Sequence, residues 1–435
     1  MATGSEVTIQ FVTEQGLCSG CGTCSAACPA GSITVNENHC GLLVAEVDQQ
    51  KCTLCGICTR ICPAIHPPPV PSEPGTDPFA GRTMACYCGY ASNSRLCGNG
   101  QSGGLTTALV SYLLERGGMD NALLTGDTAD PLRPGPVIAG AETDLQPFQS
   151  SRYLPVSLNS ILDKVDDFSK LVCVGLGCHI AGLHNYISMN GRGRGKPLTI
   201  GLFCDSVMSN RAVAAITGRL GGKSSVISHF RFKDKRYGAF PGNSVVKFSG
   251  GGIEEVPGYR RVFMKNLLKP PYCYMCFDKL NVLADISVGD AWGLGKEKLG
   301  STVVVCRTRR GNDIVENAAA TGYVRIDPVS CSKIVAGQNI ASRKAVWYTS
   351  LAIWKEKGRH VPDYGLDIPS EFKKGRKAQR RFERSLKLFS ASTAAGFDRR
   401  LSLLMKKEFV PFVVRETAGR LLNMALSLKG KTVSG

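Results

Sequence analysis

The alternation of apolar and polar positions sets out the middle of the chain before anything else does. Leu105–Glu115 places apolar residues at helical spacing behind a Gly-rich turn, which predicts an amphipathic helix. Residues 121–125 form a short strand candidate, and Leu171–Gly175 (LVCVG) and residues 198–204 (LTIGLFC) read as buried strands. Each buried run leads to a helix-compatible stretch, residues 180–190 and 210–220, and residues 286–288 and 302–307 are further strand candidates. Such alternation predicts an α/β or mixed α+β body. From residue 371 onward, Lys and Arg interleave with Phe382, Leu386, Phe389, Phe397, Leu401, Leu404 and Met405 at helical spacings, predicting two or three amphipathic helices.

Residues 67–78 (PPPVPSEPGTDP) break this pattern, since proline can continue neither a helix nor a central strand, and they mark a domain boundary. The length of 435 residues is more than one core usually fills. No run of eighteen apolar residues and no charged-then-apolar leader appears, so the expectation is a cytoplasmic protein. Charge changes the picture at one end. Residues 371–435 carry sixteen Lys or Arg against five acids, +11 of the chain's net +18. A tail of this kind suggests an acidic partner or an anionic membrane surface, with a solvated helical cap as the plainer meaning. Nucleic acid is disfavoured because no recognition motif accompanies the charge.

Nineteen cysteines are the strongest chemical signal. Their odd number and the missing leader argue against a disulfide framework, and short fixed spacings point to metal. Cys18, Cys21, Cys24 and Cys28 precede Pro29, and Cys52, Cys55, Cys58 and Cys62 precede Pro63, in the same register. Three closely spaced thiolates wrap three corners of a cubane and the fourth comes from the other repeat. By that rule Cys18, Cys21, Cys24 and Cys62 hold one 4Fe–4S cluster, and Cys52, Cys55, Cys58 and Cys28 the other. Zinc would use pairs of two-cysteine knuckles instead. Gly20, Gly22 and Gly56 let backbone amides approach the sulfurs. Cys40 falls outside both repeats and is expected as a substituted strand residue.

Four later stretches add a resemblance. They are QSGG with the helix after it (from Gln101), GLGCHIAGLHNYI (from Gly175), IGLFCDSVMS (from Ile200) and YCYMCFDKLNVLADISVGDAWG (from Tyr272). In order and spacing they resemble the coenzyme F420 hydrogenase/dehydrogenase beta-subunit family. The resemblance implies FAD and a third 4Fe–4S cluster, whose ligands would be Cys178, Cys204, Cys273 and Cys276. It places the flavin near Ser102, Gly103 and Gly104, with Arg152, Tyr153, Asp285 and Asp290 as further cofactor-binding candidates. A Gly-rich turn before a helix offers free amides to a pyrophosphate, although a plain helix cap is the commoner meaning. Leu176, Gly177 and His179 depart from the family pattern. His179 and His184 are candidate acid–base groups or, more simply, hydrogen-bonded structural residues.

The expected organisation is α+β. A ferredoxin-like domain (residues 1–66) and a linker (67–82) precede a mixed α/β flavin and iron–sulfur domain (83–345) and a basic helical extension (346–435). The expected function is an iron–sulfur flavoprotein oxidoreductase, passing electrons from a ferredoxin or flavodoxin through clusters to FAD and on to an organic or sugar-linked substrate. The alternatives are a subunit oxidising reduced coenzyme F420 for a partner, and a non-catalytic iron–sulfur scaffold or redox sensor. Peripheral contact with the inner face of the membrane through 371–435 accompanies the cytoplasmic expectation.

Overall fold

The computed structural model describes residues 8–71, 74–190, 193–217, 227–238, 241–294, 298–370, 372–373 and 375–391. At the N-terminus, helix Ile9–Glu14 and the short helices Thr23–Ala26 and Ile57–Arg60 surround an antiparallel hairpin, β1 (Ile33–Glu37) and β2 (Leu43–Val47). Cys40 lies in the turn of this hairpin, where the Asn38 side chain accepts its amide, and not in a strand as expected. The turn needs that side-chain acceptor because no ladder partner is available there.

Strands β3 (Ala85–Ala91), β4 (Asn121–Gly126), β5 (Gly135–Ala139), β6 (Leu171–Gly175) and β7 (Leu198–Leu202) enter one eight-stranded mixed sheet. Next, β8 (Ile227–Asp234), β9 (Asn243–Phe248) and β10 (Ile253–Val256) form a separate antiparallel sheet. The chain then returns with β11 (Ile286–Asp290), β12 (Thr302–Cys306) and β13 (Val324–Pro328), giving the order β13-β3-β12-β11-β7-β6-β4-β5. The four consecutive strands β11, β7, β6 and β4 are parallel. Because β12 is antiparallel to both β11 and β3, β3 runs the same way as those four. The loops after β3, β6, β7 and β11 therefore emerge at one edge, where open α/β sheets place their ligands.

Both faces of the sheet are covered, which explains the unbroken burial of β6 and β12. Alternation sorts the side chains. Val172 and Val174 face the layer of helices Leu105–Glu115 and Arg309–Ala320, while Leu171 and Cys173 face helix Gly177–Asn190. That second layer is continuous with the N-terminal module: Val12, Leu17, Cys24, Ile61 and Cys62 share a core with Leu158, Ile180, Leu183 and Trp354. Separated along the chain by the Pro-rich stretch, the two parts are joined in space.

Strand β7 ends at Leu202, so Cys204 sits in the following loop instead of closing the strand. The helix expected over 210–220 spans Ala212–Thr217, and 218–220 fall outside the described residues. The first tail helix, Arg376–Ala391, packs on the body. Phe382 meets the rings of Tyr274 and Trp354 edge-on or tilted, and the Tyr274 hydroxyl bonds Ser385 at 2.7 Å. The remaining helices expected in the tail lie outside the described residues.

Candidate functional site

Within the N-terminal module, thiols of the two repeats act on one another across the repeats. The Cys24 thiol is pushed well up by burial, then by Cys21, Cys18, Cys62 and Cys58. Cys62 is likewise pushed up by burial and by Cys21 and Cys18, which places it with the first triplet. Cys58 is raised by burial, then feels Cys55 and Cys28. Cys28 itself receives the Ser32 amide at 3.4 Å. The second group faces outward: Cys55 is exposed and Leu54 beside it is 85% exposed.

Four further cysteines arrive from separate elements at the sheet edge. Cys178 opens the helix after β6, Cys204 follows β7, and Cys273 and Cys276 span the short helix Tyr272–Met275. Burial pushes Cys178 well up, and Cys21, Cys204, Cys276 and Cys273 add to it. Cys204 is raised to about 12 and Cys273 to about 11, in both cases chiefly by burial. Crowded, desolvated thiols resist ionising until a cationic body neutralises them. Among the described residues no three Cys, His, Asp or Glu come close enough to hold a single metal ion. The wider grouping suits a multi-iron cluster, whose thiolates sit at separated corners.

Cys178 has Cys21 of the N-terminal module within electrostatic reach, and the contact is built. Asn159, fully buried, donates its amide N–H to the Cys21 carbonyl at 2.9 Å. Its side-chain amide donates to Thr23 Oγ1 at 2.9 Å and to the His179 carbonyl at 2.8 Å. Thr23 Oγ1 in turn hydrogen-bonds Cys21 Sγ, 3.3 Å away, a pair in which either atom can donate. The approach requires glycine twice. A Cβ on Gly22 (φ 88°) would lie 2.5 Å from the Ser160 nitrogen, and one on Gly182 would lie 2.1 Å from Thr23 Oγ1.

Beside this edge opens a cavity of about 950 Å³, at the upper end for cofactor sites. Its lining includes Ser102, Gly104, Arg152, Tyr153, Asp290 and Cys204. Gly103 is packed against Tyr90 and the Gly300 carbonyl, outside the lining. Asp285 also lies away from the cavity: its carboxylate accepts Thr199 N and Oγ1 at 2.9 and 2.8 Å and Thr308 Oγ1 at 2.9 Å, tying β7 to the start of helix Arg309–Ala320. Arg152 is spent on Asp127 at 2.9 Å and on the carbonyls of Pro147 and Phe148.

The cation that faces Asp290 across the cavity wall is Lys233, which sequence reasoning missed. Lys233 Nζ lies 3.1 Å from Asp290 Oδ2 and 5.4 Å from the centre of the Tyr153 ring, while Asp290 also accepts the Ser102 hydroxyl. Burial opposes its charge, but Tyr153 and Asp290 hold the ammonium above its ordinary range. Nothing in the strand sequence ISHFRFKD marks this lysine, because only the pairing of β8 with β9 aims it inward. Two buried acceptors of the lining, Ser206 Oγ and Gln101 Oε1, have no protein partner among the described residues. Buried orphans of this kind suit a polar ligand, and the basic lining suits its phosphates.

The two histidines are structural. His179 Nε2 is 2.9 Å from the Val156 carbonyl and its Nδ1 accepts the Leu176 amide, so the ring is neutral with its proton on Nε2; burial takes its pKa down to about 4. His184 Nε2 meets the Leu283 carbonyl at 3.0 Å.

Comparison with known proteins identifies similar families and relatives. Residues 86–163 match the model "Coenzyme F420 hydrogenase/dehydrogenase, beta subunit N-term" and residues 168–331 the corresponding C terminus, together more than half of the chain. Residues 17–65 match a 4Fe-4S dicluster domain. The coenzyme F420 hydrogenase subunit beta of Methanosarcina barkeri is 25% identical over 262 residues, covering 58% of this chain and 84% of that one. A coenzyme F420-dependent sulfite reductase of Methanocaldococcus jannaschii is 26% identical over 325 residues, 71% of this chain and 47% of that longer protein. Among solved structures, a chain of the F420-reducing NiFe hydrogenase complex of Methanosarcina barkeri aligns with a TM-score of 0.49 at 22% identity, over 63% of this chain and 95% of that one.

Proposed function

The chain belongs to the coenzyme F420 hydrogenase/dehydrogenase beta-subunit family with an N-terminal 4Fe–4S dicluster domain, and from that premise we propose that it is an iron–sulfur electron-transfer protein that oxidises reduced coenzyme F420 for a redox partner. The carrying observation is one continuous line of ligand loops. The cavity wall includes Cys204 and the residues on either side of the Gly177–Cys178 pair, Cys178 reaches Cys21, and the second N-terminal group ends at the exposed Cys55. When bound, clusters exchange single electrons while a flavin stores two.

In this reading Cys18, Cys21, Cys24 and Cys62, then Cys52, Cys55, Cys58 and Cys28, then Cys178, Cys204, Cys273 and Cys276 hold three cubanes. FAD fits the cavity: Gln101, Ser102 and Ser206 offer hydrogen bonds, and Arg261 and Lys233 are buried cations in its wall. Lys233 also orients Asp290, and Tyr153 and Trp292 flank the ammonium at 5.4 and 6.0 Å from their ring centres. The names of the relatives favour coenzyme F420 over the organic or sugar-linked substrate expected from the sequence. A cofactor-sized cavity beside the thiols counts against a scaffold without catalysis. The partner, a ferredoxin, a flavodoxin or a catalytic subunit, would meet the exposed loop at Cys55.

Anaerobically purified protein should carry about twelve irons and one flavin per chain. It should also oxidise reduced coenzyme F420 with a viologen as acceptor. Full iron and flavin without that oxidation would overturn the reading in favour of another reductant or substrate.

A further inference from the structure

The third thiol group has a buried cation that lies beyond the residues matched by the family models, which end at 331. Arg343 is on helix Ile340–Glu356, pinned over the Cys273–Cys276 turn one helical turn later by Trp347, whose Nε1 donates to the Met275 carbonyl at 2.8 Å. The Arg343 side chain is itself buried. Nη2 donates to the Cys276 carbonyl at 2.5 Å and Nη1 to the Asp205 carbonyl at 3.1 Å. It thus holds two ligand loops together, the one after Cys204 and the one containing Cys276.

Two features exceed a structural clamp. First, Nε–H is buried with no protein partner among the described residues, although Cys276, the Asp205 carboxylate, Cys273 and Cys204 all lie within electrostatic reach of the guanidinium. A buried donor left unmade is costly, and arginine stays charged in any protein setting. Second, the hydrogen-bond partners of Arg343 are carbonyls, whereas the nearby Lys265 and Lys279 both pair with the Asp205 carboxylate, at 2.9 and 3.2 Å, and Lys269, which also acts on Cys273, sits 4.1 Å from the centre of the Tyr274 ring.

We propose that Arg343 is the resident counter-cation of the third 4Fe–4S cluster, its Nε–H donating to a cluster or cysteine sulfur, and that it raises the reduction potential of that cluster relative to the two in the N-terminal module. The physical reason is charge. Four thiolates make the cluster anionic, and reduction adds one more negative charge. A fixed cation in a low-dielectric surrounding stabilises the reduced state more than the oxidised one. The cluster nearest the cavity then becomes the favoured first acceptor of electrons released there. Its helix lies outside the residues that the family models match.

The inference rests on the reading that Cys178, Cys204, Cys273 and Cys276 hold a cluster, and the experiment separates the two. Wild type, Arg343→Gln and Arg343→Lys are purified anaerobically, assayed for iron, and titrated electrochemically with the cluster EPR signals as readout. About eight irons in the wild type would end the parent reading, and this one with it. With about twelve irons retained, Arg343→Gln should move one signal to lower potential and leave two in place, and Arg343→Lys should move it only part of the way. All signals at wild-type potential, or all shifted together, would overturn the proposal while leaving the third cluster standing. If Arg343→Gln loses the cluster, Arg343→Lys decides: a partial lowering supports the proposal and an unmoved signal refutes it.

Discussion

Asn159 offers the sharpest test of how the N-terminal module is joined to the sheet. Asn159→Ala removes two buried hydrogen bonds, to Thr23 Oγ1 and the His179 carbonyl, and keeps the backbone bond to Cys21. The carbonyl of His179 is then left with its helical partner alone, and a side-chain-sized void opens between Gly22 and Gly182. Losing those two buried bonds and leaving a void costs about 2–4 kcal/mol. As a local opening equilibrium this is roughly a 30- to 900-fold increase in the open population. Amide hydrogen exchange of the holoprotein, read by mass spectrometry, should show that loss of protection in both residues 18–26 and 177–186, while β12 and β13 stay unchanged. Asn159→Asp keeps the shape but turns the donor into an acceptor facing the His179 carbonyl, and should cost at least as much. Protection within about threefold of wild type in both segments would refute the reasoning, because no clasp of this magnitude could then exist.

Four further outcomes are expected. Gly182→Ala drives a Cβ into Thr23 Oγ1 and should open the same two segments from the opposite side, as exchange would show. Trp347→Ala empties a fully buried site and strands the Met275 carbonyl, a loss of about 3–5 kcal/mol checked by anaerobic denaturant unfolding. Cys28→Ser combined with Cys58→Ser should lose no more iron than either alone, whereas Cys28→Ser with Cys24→Ser should lose two clusters; equal losses would refute the crossed ligand sets. Lys233→Met leaves Asp290 without its cation and should lower bound flavin at constant iron, so unchanged flavin would show that the pair plays no part in holding it.

The two cysteine repeats could be read without a structure because a cubane fixes its ligands at short local spacings, and local spacing is what a sequence records. The buried strands Leu171–Gly175 and residues 198–202 were equally legible, since a strand covered on both faces must be apolar throughout. The sheet β8–β10 was not anticipated, although its strands alternate polar and apolar residues as half-buried strands do, with Arg231 and Lys233 among them. The ligand candidates Cys178, Cys204, Cys273 and Cys276 came from family resemblance alone, being spread over about a hundred residues. The parallel pairing of β6 with β7 brings the loops holding Cys178 and Cys204 to one edge, and Cys273 and Cys276 arrive there from the short helix ahead of β11. The same holds for Asp285 and Asp290, five residues apart on one strand. They sit at its opposite ends, so one braces the sheet and the other faces the cavity. Asn159, Lys233 and Arg343 carry no motif at all. Their roles come from long-range contacts, with partners up to about 140 residues distant, and such contacts exist only once the sheet and its covering helices have folded.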